Sequence, residues 1–251
     1  MANGDQHRSK CCFLEWMKLQ ERDLSELLQA LTLTPQNDAE LTKLAQKGVE
    51  HFESYISQRS TLSKNDVAAF FSPAWCTAWE NSLLWIAGCR PSAYIRLIYA
   101  VSGADVELRL ADFLRGGAAS GGDNLGGLST GQVRAVDELQ RRTIREEDRL
   151  TTRVAGLQED VADEPITAIV KGVEQIGELS GEIERALDEH EKGMAVALED
   201  ADKLRLNTVK EIFGILTPVQ GVDFLAMSKK LHLCVHEWGK KRDQRHGREN
   251  C

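Results

Sequence analysis

Residues 79–103 read WENSLLWIAGCRPSAYIRLIYAVSG, with two tryptophans six residues apart and an Arg-Pro-Ser step inside a long apolar run. A helix that spans a membrane needs about 20 uninterrupted apolar residues. Arg90 and Pro91 divide this run, and Arg96 places a charge in its second half. The stretch therefore predicts buried helices of a bundle and argues against a membrane span.

The spacing before the Arg-Pro step predicts a helix that is apolar around most of its circumference. One face of this helix would carry Trp75, Trp79, Leu83 and Ile86, with Ala78, Ser82 and Trp85 on another. We expect Trp79 and Trp85 to be largely buried between helices. Gly88 can end this helix, Pro91 prevents its simple continuation, and Ser92 is a candidate cap for the next one.

Two charges, Glu80 and Arg90, lie within the same apolar stretch. Leaving either of them buried without a partner would cost about 3–5 kcal/mol. Each is therefore expected to pair with another group or to reach solvent.

Signals for helix starts recur along the chain, whereas strands have almost no signal. Thr34-Pro35, Ser72-Pro73 and Thr217-Pro218 each place a side-chain acceptor before a proline, which suits the first helical position. Ser129 with Gln132, and Thr217 with Gln220, fit the capping box. The predicted fold is all-α, a multi-helix bundle with long antiparallel helices.

Two apolar registers in the middle of the chain predict the long helices. The first contains Val133, Val136, Leu150, Val154, Leu157 and Val161, with the polar residues Gln140, Thr143 and Glu147 in its seam. The second contains Ile169, Val173, Ile176, Ile183 and Leu187. They predict two antiparallel helices joined near residues 163–165.

The composition also divides the chain into segments. We expect residues 1–10 to be disordered, residues 11–240 to form one helical domain, and residues 241–251 to form a basic tail. Within the domain, GGAASGGDNLGG is too flexible and too poor in apolar groups to hold a regular element. Residues 115–127 are therefore predicted to form a flexible, dispensable loop.

The net charge of −8 is unevenly distributed, because residues 101–200 hold 11 basic and 22 acidic groups. DNA affinity rests largely on lysine and arginine contacts with phosphates, so this balance argues against DNA binding by the chain itself. The six cysteines lack CxxC spacing and accompany no export signal, so reduced thiols are expected. We therefore predict that the protein is located inside the cell, in the nucleus, the cytoplasm or both.

Enzyme motifs are weak. Residues 127–131 match G-x-S-x-G, but a nucleophile elbow needs a strand before its serine, and a glycine-rich segment precedes Ser129. The capping box explains Ser129 better. There is no phosphate-loop lysine motif and no His-Glu-x-x-His motif, so we predict a protein without catalytic residues.

A histidine pair is the remaining candidate for ligand chemistry. His232 and His236 are four residues apart and project from one helix face, where they can hold a metal or ligate haem. A protein metal site usually needs three or four ligands, so two partly exposed histidines without a ligand is the alternative. The same segment carries apolar residues between lysine clusters, a pattern typical of calmodulin targets and of nuclear import signals unless its apolar face packs into the bundle.

Three blocks of the sequence resemble the plant delay-of-germination domain, which also lies C-terminal to the leucine zipper in TGA transcription factors. The first block is Trp79-Glu80 with LWIAGCRPS (84–92), which contains the signature residues Trp79, Glu80, Trp85, Gly88, Arg90 and Pro91. The second is LSTGQV (128–133) with Leu139-Gln140, Glu146-Glu147 and Leu157-Gln158. The third is ADKLRLNTV (201–209) with ILTPVQ (215–220).

The resemblance implies an all-helical regulatory protein without enzymatic activity. It would act through protein partners, phosphatases or other signalling regulators among them, in seed dormancy, abscisic-acid signalling or related development, with effects on transcription. It adds weight to haem at His232 and His236. TGA factors place a basic region and zipper before this domain, whereas here the first predicted helix begins about a dozen residues after Met1, so direct DNA binding in the TGA manner is an alternative only.

Overall fold

The computed structural model describes residues 2–32, 37–115, 124–163, 165–172 and 181–248. Within these ranges every regular element is helical, which confirms the all-α prediction. The helices are α1 (Ala2–Thr32), α2 (Asp38–Ser63), α3 (Ala68–Phe71), α4 (Ala78–Leu83), α5 (Ser92–Leu114), α6 (Thr130–Glu159), α7 (Ile166–Lys171), α8 (Gly181–Ile215) and α9 (Pro218–Arg245). Short 3₁₀ turns span Leu125–Gly127 and Asp160–Ala162.

Side-chain caps begin several of these helices. Ser129 caps α6 and Thr217 caps α9, each in the predicted capping box. Ser72-Pro73 does not begin a helix, because Ser72 is the C-cap of α3 and α4 begins after Thr77. Thr77 forms a third capping box with Glu80, which the sequence reasoning missed. The cap of α2 is Asn37, and the predicted start at Thr34-Pro35 lies outside the described residues.

The α6 and α8 helices form a long antiparallel pair, but α8 is not the helix predicted from the second register, since only Ile183 and Leu187 of that register lie in it. Arg142 lies 2.6 Å from Glu211, and Arg153, further along α6, lies 3.0 Å from Asp200. Residue numbers therefore fall along α8 as they rise along α6. The short α7 lies near the predicted junction, and residues 173–180 of the second register lie outside the described part of the chain.

The α1 helix packs antiparallel to α9. Near the start of α1 the Phe13 ring lies 5.7 Å from the His236 ring, and further along α1 Asp23 accepts a hydrogen bond of 2.8 Å from Lys229. An apolar stripe of α1 is expected from the spacing of Phe13, Trp16, Met17, Leu24, Leu27, Leu28 and Leu31, and it is largely buried, with Leu28 as an exposed exception. One core cluster joins this stripe to other elements and contains Phe13, Trp16, Met17, Val67, Phe70, Trp75, Ala87 and Leu198.

The prediction of one apolar helix through residues 73–88 is wrong. The helix here is only Ala78–Leu83, and the backbone then extends at Leu84 and turns left-handed at Ile86 and Ala87. Because α4 lies on the surface of the bundle, Trp79 is 37% exposed, and Trp85 is half-buried. Trp75, which precedes α4, is the buried tryptophan of this region at 8% exposure.

The predicted segment boundaries also differ from the structure. α1 already begins at Ala2, inside the segment expected to be disordered, since its second turn packs on the bundle and buries Ser9. At the other end α9 continues through the expected basic tail as far as Arg245.

The last residues of the predicted loop at residues 115–127 form a short 3₁₀ turn, Leu125–Gly127. They pack against the bundle, because Leu125 is fully buried and its N–H donates to Asp223 at 3.2 Å. Residues 116–123 lie outside the described residues.

Trp75 and Trp79 should respond differently to truncation. Trp75→Ala should lower the free energy of unfolding by about 3–5 kcal/mol, because it removes a buried aromatic ring that packs edge-on against Phe70. Trp79→Ala should lower it by about 1 kcal/mol, because much of that ring already lies in solvent. Urea unfolding followed by circular dichroism measures both, and equal losses would contradict the assigned exposures.

Candidate functional site

The turn that follows α4 is the most constrained segment of the described chain. Trp85 and Gly88 exchange two backbone hydrogen bonds of 2.7 and 3.1 Å. Between them Ile86 and Ala87 have φ angles of 42° and 58°. A positive φ is unfavourable for residues with a Cβ, particularly a β-branched one, and costs about 1–3 kcal/mol for each residue. The surrounding structure must therefore stabilise this turn.

Arg205 of α8 supplies much of that stabilisation. Its Nε donates to the carbonyl oxygen of Cys89 at 2.7 Å. Its Nη2 donates to the carbonyl oxygens of Trp85 and Ile86 at 2.6 and 2.9 Å. Nη2 of Arg59 in α2 donates to the carbonyl oxygen of the remaining left-handed residue, Ala87. Two guanidinium groups thus bind the carbonyl groups of this turn.

Asp202 joins the two arginines. Its Oδ1 accepts a hydrogen bond of 2.6 Å from Arg205, and its Oδ2 lies 3.3 Å from Nε of Arg59, as an ion pair without the alignment of a hydrogen bond. All three side chains are at most 9% exposed. We call Arg59, Asp202 and Arg205 the arginine clamp. Removing one member of such a buried set leaves a charge without its partner, which typically costs about 3–5 kcal/mol.

The chain on the far side of the turn is held by Glu147 of α6. Its Oε1 accepts from the Ser92 N–H at 2.6 Å, and its Oε2 accepts from the Ser92 hydroxyl at 3.0 Å. Ser92 is therefore the first residue of α5 and a donor, and not the capping acceptor that we expected. Arg90 lies 3.7 Å from the same carboxylate and is half-exposed, which agrees with the prediction that it pairs or reaches solvent. Pro91 is buried beside it.

Glu80 also has partners, as predicted for a charge in this stretch. Its carboxylate accepts hydrogen bonds from the Thr77 N–H, the Thr77 hydroxyl and His236. Burial raises the pKa of Glu80, but these hydrogen bonds from His236 and Thr77 outweigh burial, so that the pKa is lowered from its ordinary value. The carboxylate is thus anionic and fixes the start of α4 against α9.

A cavity of about 500 Å³ lies next to the clamp, between α1, α2, α5, α8, α9 and residues 73–90. Its volume is within the range of small-molecule sites, about 300–1,000 Å³. The wall is mainly apolar and contains the aromatic side chains Trp16, Phe52, Tyr55, Phe70, Trp75, Tyr94 and Phe224. The exposed lining residues, where the cavity meets solvent, are Leu83, Cys89, Arg90, Ala93 and Leu231.

The charged side chains of this wall form ion pairs and hydrogen bonds that stabilise the fold. Lys229 binds Asp23, and Asp202 and Arg205 belong to the clamp. Burial raises the pKa of the Cys76 thiol to about 12, so this thiol stays protonated and is a poor nucleophile. Ser129 accepts the capping hydrogen bond from the Gln132 N–H. A thiol and an imidazole do meet elsewhere, since Cys11 lies 3.5 Å from Nε2 of His7, but this exposed pair on α1 does not line the cavity.

The two histidines of the predicted pair form hydrogen bonds with different partners. The amide nitrogen of Gln20 donates to Nδ1 of His232 at 2.6 Å, so the proton of this neutral imidazole lies on Nε2, where a metal would need a lone pair. His236 has the tautomer that suits a ligand, because Nδ1 donates to Glu80, but it is buried and does not line the cavity.

The two histidines do not fit joint ligation of haem in this arrangement. The described residues also contain no group of three His, Cys, Asp or Glu side chains placed to hold a metal. Haem binding stays a prediction, which an absorption spectrum with added haem would test.

The sequence reasoning missed most of the residues that hold this site. Asp202 and Arg205 stood inside a quoted block, and Glu147 stood out only as a polar interruption of an apolar register. The one sequence signal for such a residue is a charged side chain within an apolar register, because a buried carboxylate needs a donor from another element. The signature residues Trp85 and Gly88 form the turn itself, and two guanidinium groups, of Arg90 and Arg205, lie within 6 Å of the Trp85 ring.

Several known proteins are similar to this chain in sequence. A family model described as "DOG1: Seed dormancy control" matches residues 23–100. The Arabidopsis thaliana protein DOG1-like 1 is 40% identical, over 93% of this chain and 89% of its own length. The A. thaliana protein RESPONSE TO ABA AND SALT 1 is 26% identical, over 96% of this chain and all of its own length. The A. thaliana transcription factor TGA6 is 24% identical, over 90% of this chain but 59% of its own length.

The fold and the site define an all-α protein in which buried ion pairs hold a left-handed turn beside an apolar cavity. Among the described helices, none is long and apolar enough to cross a membrane. The chain belongs to the DOG1-like family, which confirms the resemblance that the three sequence blocks indicated.

Gly88 should be intolerant of a side chain. A Cβ at this position would lie 2.8 Å from Cζ of Arg205, so Gly88→Ala should displace the guanidinium and lower the free energy of unfolding by about 2–4 kcal/mol. Gly214→Ala, in α8, meets nothing within 4 Å and should stabilise the protein by up to about 1 kcal/mol. Urea unfolding measures both changes, and a stable Gly88→Ala variant would contradict the clamp.

His232 should make stability depend on pH. Burial lowers its pKa from 6.5 to about 4, and His236 and Lys229 add to this effect while Glu80 opposes it. Between these values the unfolded chain binds the extra proton, so stability should fall as the pH drops from about 6.5 to about 4, by up to about 3 kcal/mol.

The His232→Gln variant should lose this slope, because it has no imidazole to protonate. His246→Gln, at the exposed end of α9, is the matched control. Unfolding free energies measured across this pH range test the assignment, and a slope that survives in His232→Gln would contradict it.

Proposed function

We propose that this chain is a non-enzymatic regulator of seed dormancy and abscisic-acid responses that acts by binding other proteins. The observation that carries the proposal is the 40% identity to DOG1-like 1 over nearly the whole chain. Seed dormancy control is the description of the matching family model, and a relative of similar length is named for its response to abscisic acid.

The site supports a role in binding more than a role in catalysis. The buried charges Asp23, Glu80 and Glu147 accept hydrogen bonds from neighbouring elements, and Asp202 forms an ion pair with Arg59 of α2, so that each holds two parts of the fold together. Groups that have such partners are poor general acids or bases, because the proton transfer would break the structure that they stabilise. The surface of the bundle is therefore the part that is available for function.

The proposed partners are signalling proteins such as phosphatases, in the nucleus, the cytoplasm or both, with effects on transcription through those partners. Direct reading of DNA is disfavoured, because acidic groups outnumber basic groups by 39 to 31. A calmodulin-like partner that surrounds α9 is also disfavoured, since Val222, Leu225 and Ala226 of this helix are buried in the core.

An assay of seed germination tests this proposal. Freshly harvested seeds of plants in which the gene is disrupted should germinate more completely, and at higher concentrations of abscisic acid, than the parent line. The disrupted line should be restored by the unchanged chain and by Gly214→Ala, but not by Gly88→Ala, which displaces the clamp. Germination that is identical with and without the gene, at every abscisic-acid concentration, would overturn the proposal.

A further inference from the structure

Four large apolar side chains lie exposed along the junction of α4 and α9. They are Trp79 at 37%, Leu83 at 53%, Leu231 at 46% and Trp238 at 52% exposure. Leu231, Trp238 and Arg242 follow one another on a single face of α9, at spacings of seven and four residues. Arg242 lies over the Trp79 ring, 4.8 Å from its centroid, so this stripe adjoins α4. We call these four apolar residues with Arg242 the aromatic groove.

The groove is not needed to hold α9 in the bundle. The apolar residues on the inner side of this helix, Val222, Leu225 and Ala226, are already buried. His236, Gly239 and Asp243 attach α4, because they contact Glu80, Thr77 and the Ala78 N–H respectively. Clustered apolar side chains that remain exposed after the core is filled typically mark a contact surface.

The charges around the groove are basic. Lys230, Lys241, Arg242 and Arg245 lie exposed on the outer side of α9. The carboxylates of α4 and α9 do not offset them, since Glu80 and Asp243 are buried in hydrogen bonds and Asp223 binds the Leu125 N–H. Glu237 is exposed but pairs with Lys240 at 2.8 Å. A partner with acidic groups beside its apolar residues would therefore be complementary.

The shape of the groove favours a protein helix over a lipid surface. Leu83 and Leu231 belong both to the groove and to the wall of the cavity, so the floor of the groove is open toward the cavity and can admit a side chain. A helix that inserts into a bilayer needs a free apolar face, whereas most of the apolar face of α9 is buried.

We propose that the aromatic groove binds an acidic amphipathic helix of a partner protein. Apolar residues at positions i, i+4 and i+7 of that helix would seat along Trp79, Leu83 and Leu231, and its flanking carboxylates would face Lys241 and Arg242. This inference rests on the proposed function, since it names the surface through which the chain binds a signalling protein.

The test uses a labelled helical peptide with leucine at positions i, i+4 and i+7 and glutamate beside them. The full chain should bind this peptide, measured by fluorescence anisotropy, and should bind a peptide of the same composition in scrambled order at least about tenfold more weakly. A peptide with lysine in place of each glutamate should bind equally weakly. Binding that does not depend on the order or the charge of the peptide would overturn the proposal.

Charge-reversal variants locate the binding surface. Lys241→Glu/Arg242→Glu should weaken peptide binding by about tenfold or more, because each partner carboxylate would then face a like charge. Lys43→Glu/Arg134→Glu changes the net charge equally at exposed positions of α2 and α6, and should leave binding unchanged. Circular dichroism and melting should match the parent chain for both variants. Equal weakening by the two variants would overturn the assignment of this surface.

Two further measurements separate the alternatives. Vesicles of phosphatidylcholine with phosphatidylserine should not co-sediment with the chain; co-sedimentation that Lys241→Glu/Arg242→Glu abolishes would make the groove a membrane surface instead. In the germination assay the same variant should fail to restore the disrupted line. If it restores germination fully while the disrupted line remains altered, the groove proposal fails and the regulatory function stands.

Discussion

The fold depends on one interaction, the arginine clamp on the turn at residues 85–88. Ile86 and Ala87 have backbone angles that are unfavourable for residues with a side chain, and they belong to no helix. Arg205 and Arg59 bind carbonyl groups of this turn from α8 and α2, and Asp202 keeps the two cations together. The same contacts place α4 on one side of the turn and α5 on the other. The position of the cavity and of the aromatic groove follows from that placement.

Much of the local structure could be predicted because its causes are local. The capping boxes at Ser129 and Thr217 involve atoms three residues apart, so their sequence pattern predicts them directly. The predicted helix through residues 73–88 was wrong for the opposite reason. Apolar spacing there matched a helix, but the backbone reverses at Ile86, held by a side chain 119 residues away. The spacing of apolar residues along the sequence gives no information about such a distant partner.

The candidate site shows the same limit. Spacing correctly placed His232 and His236 four residues apart on α9, yet one binds Gln20 of α1 and the other binds Glu80 of α4. Their tautomers, and hence what they can bind, are set by those partners. The expectation that Glu80 and Arg90 would be paired or exposed succeeded because it rested on the free-energy cost of a buried charge, which holds wherever the partner lies in the sequence.

The buried ion pairs also define the unit that can fold. Residues 23–100, the part that the family model matches, supply Asp23, Arg59 and Glu80 to the interior. Each of them has a partner beyond residue 200, namely Lys229, Asp202 and His236, although Asp23 also pairs with His51 inside the matched segment. During synthesis from the N-terminus, these three charges have left the ribosome before any of the partners beyond residue 200 exists. The segment matched by the family model is thus a unit of sequence similarity but not a unit of folding. The N-terminal helices can bury their charges only after the C-terminal third of the chain has been synthesised.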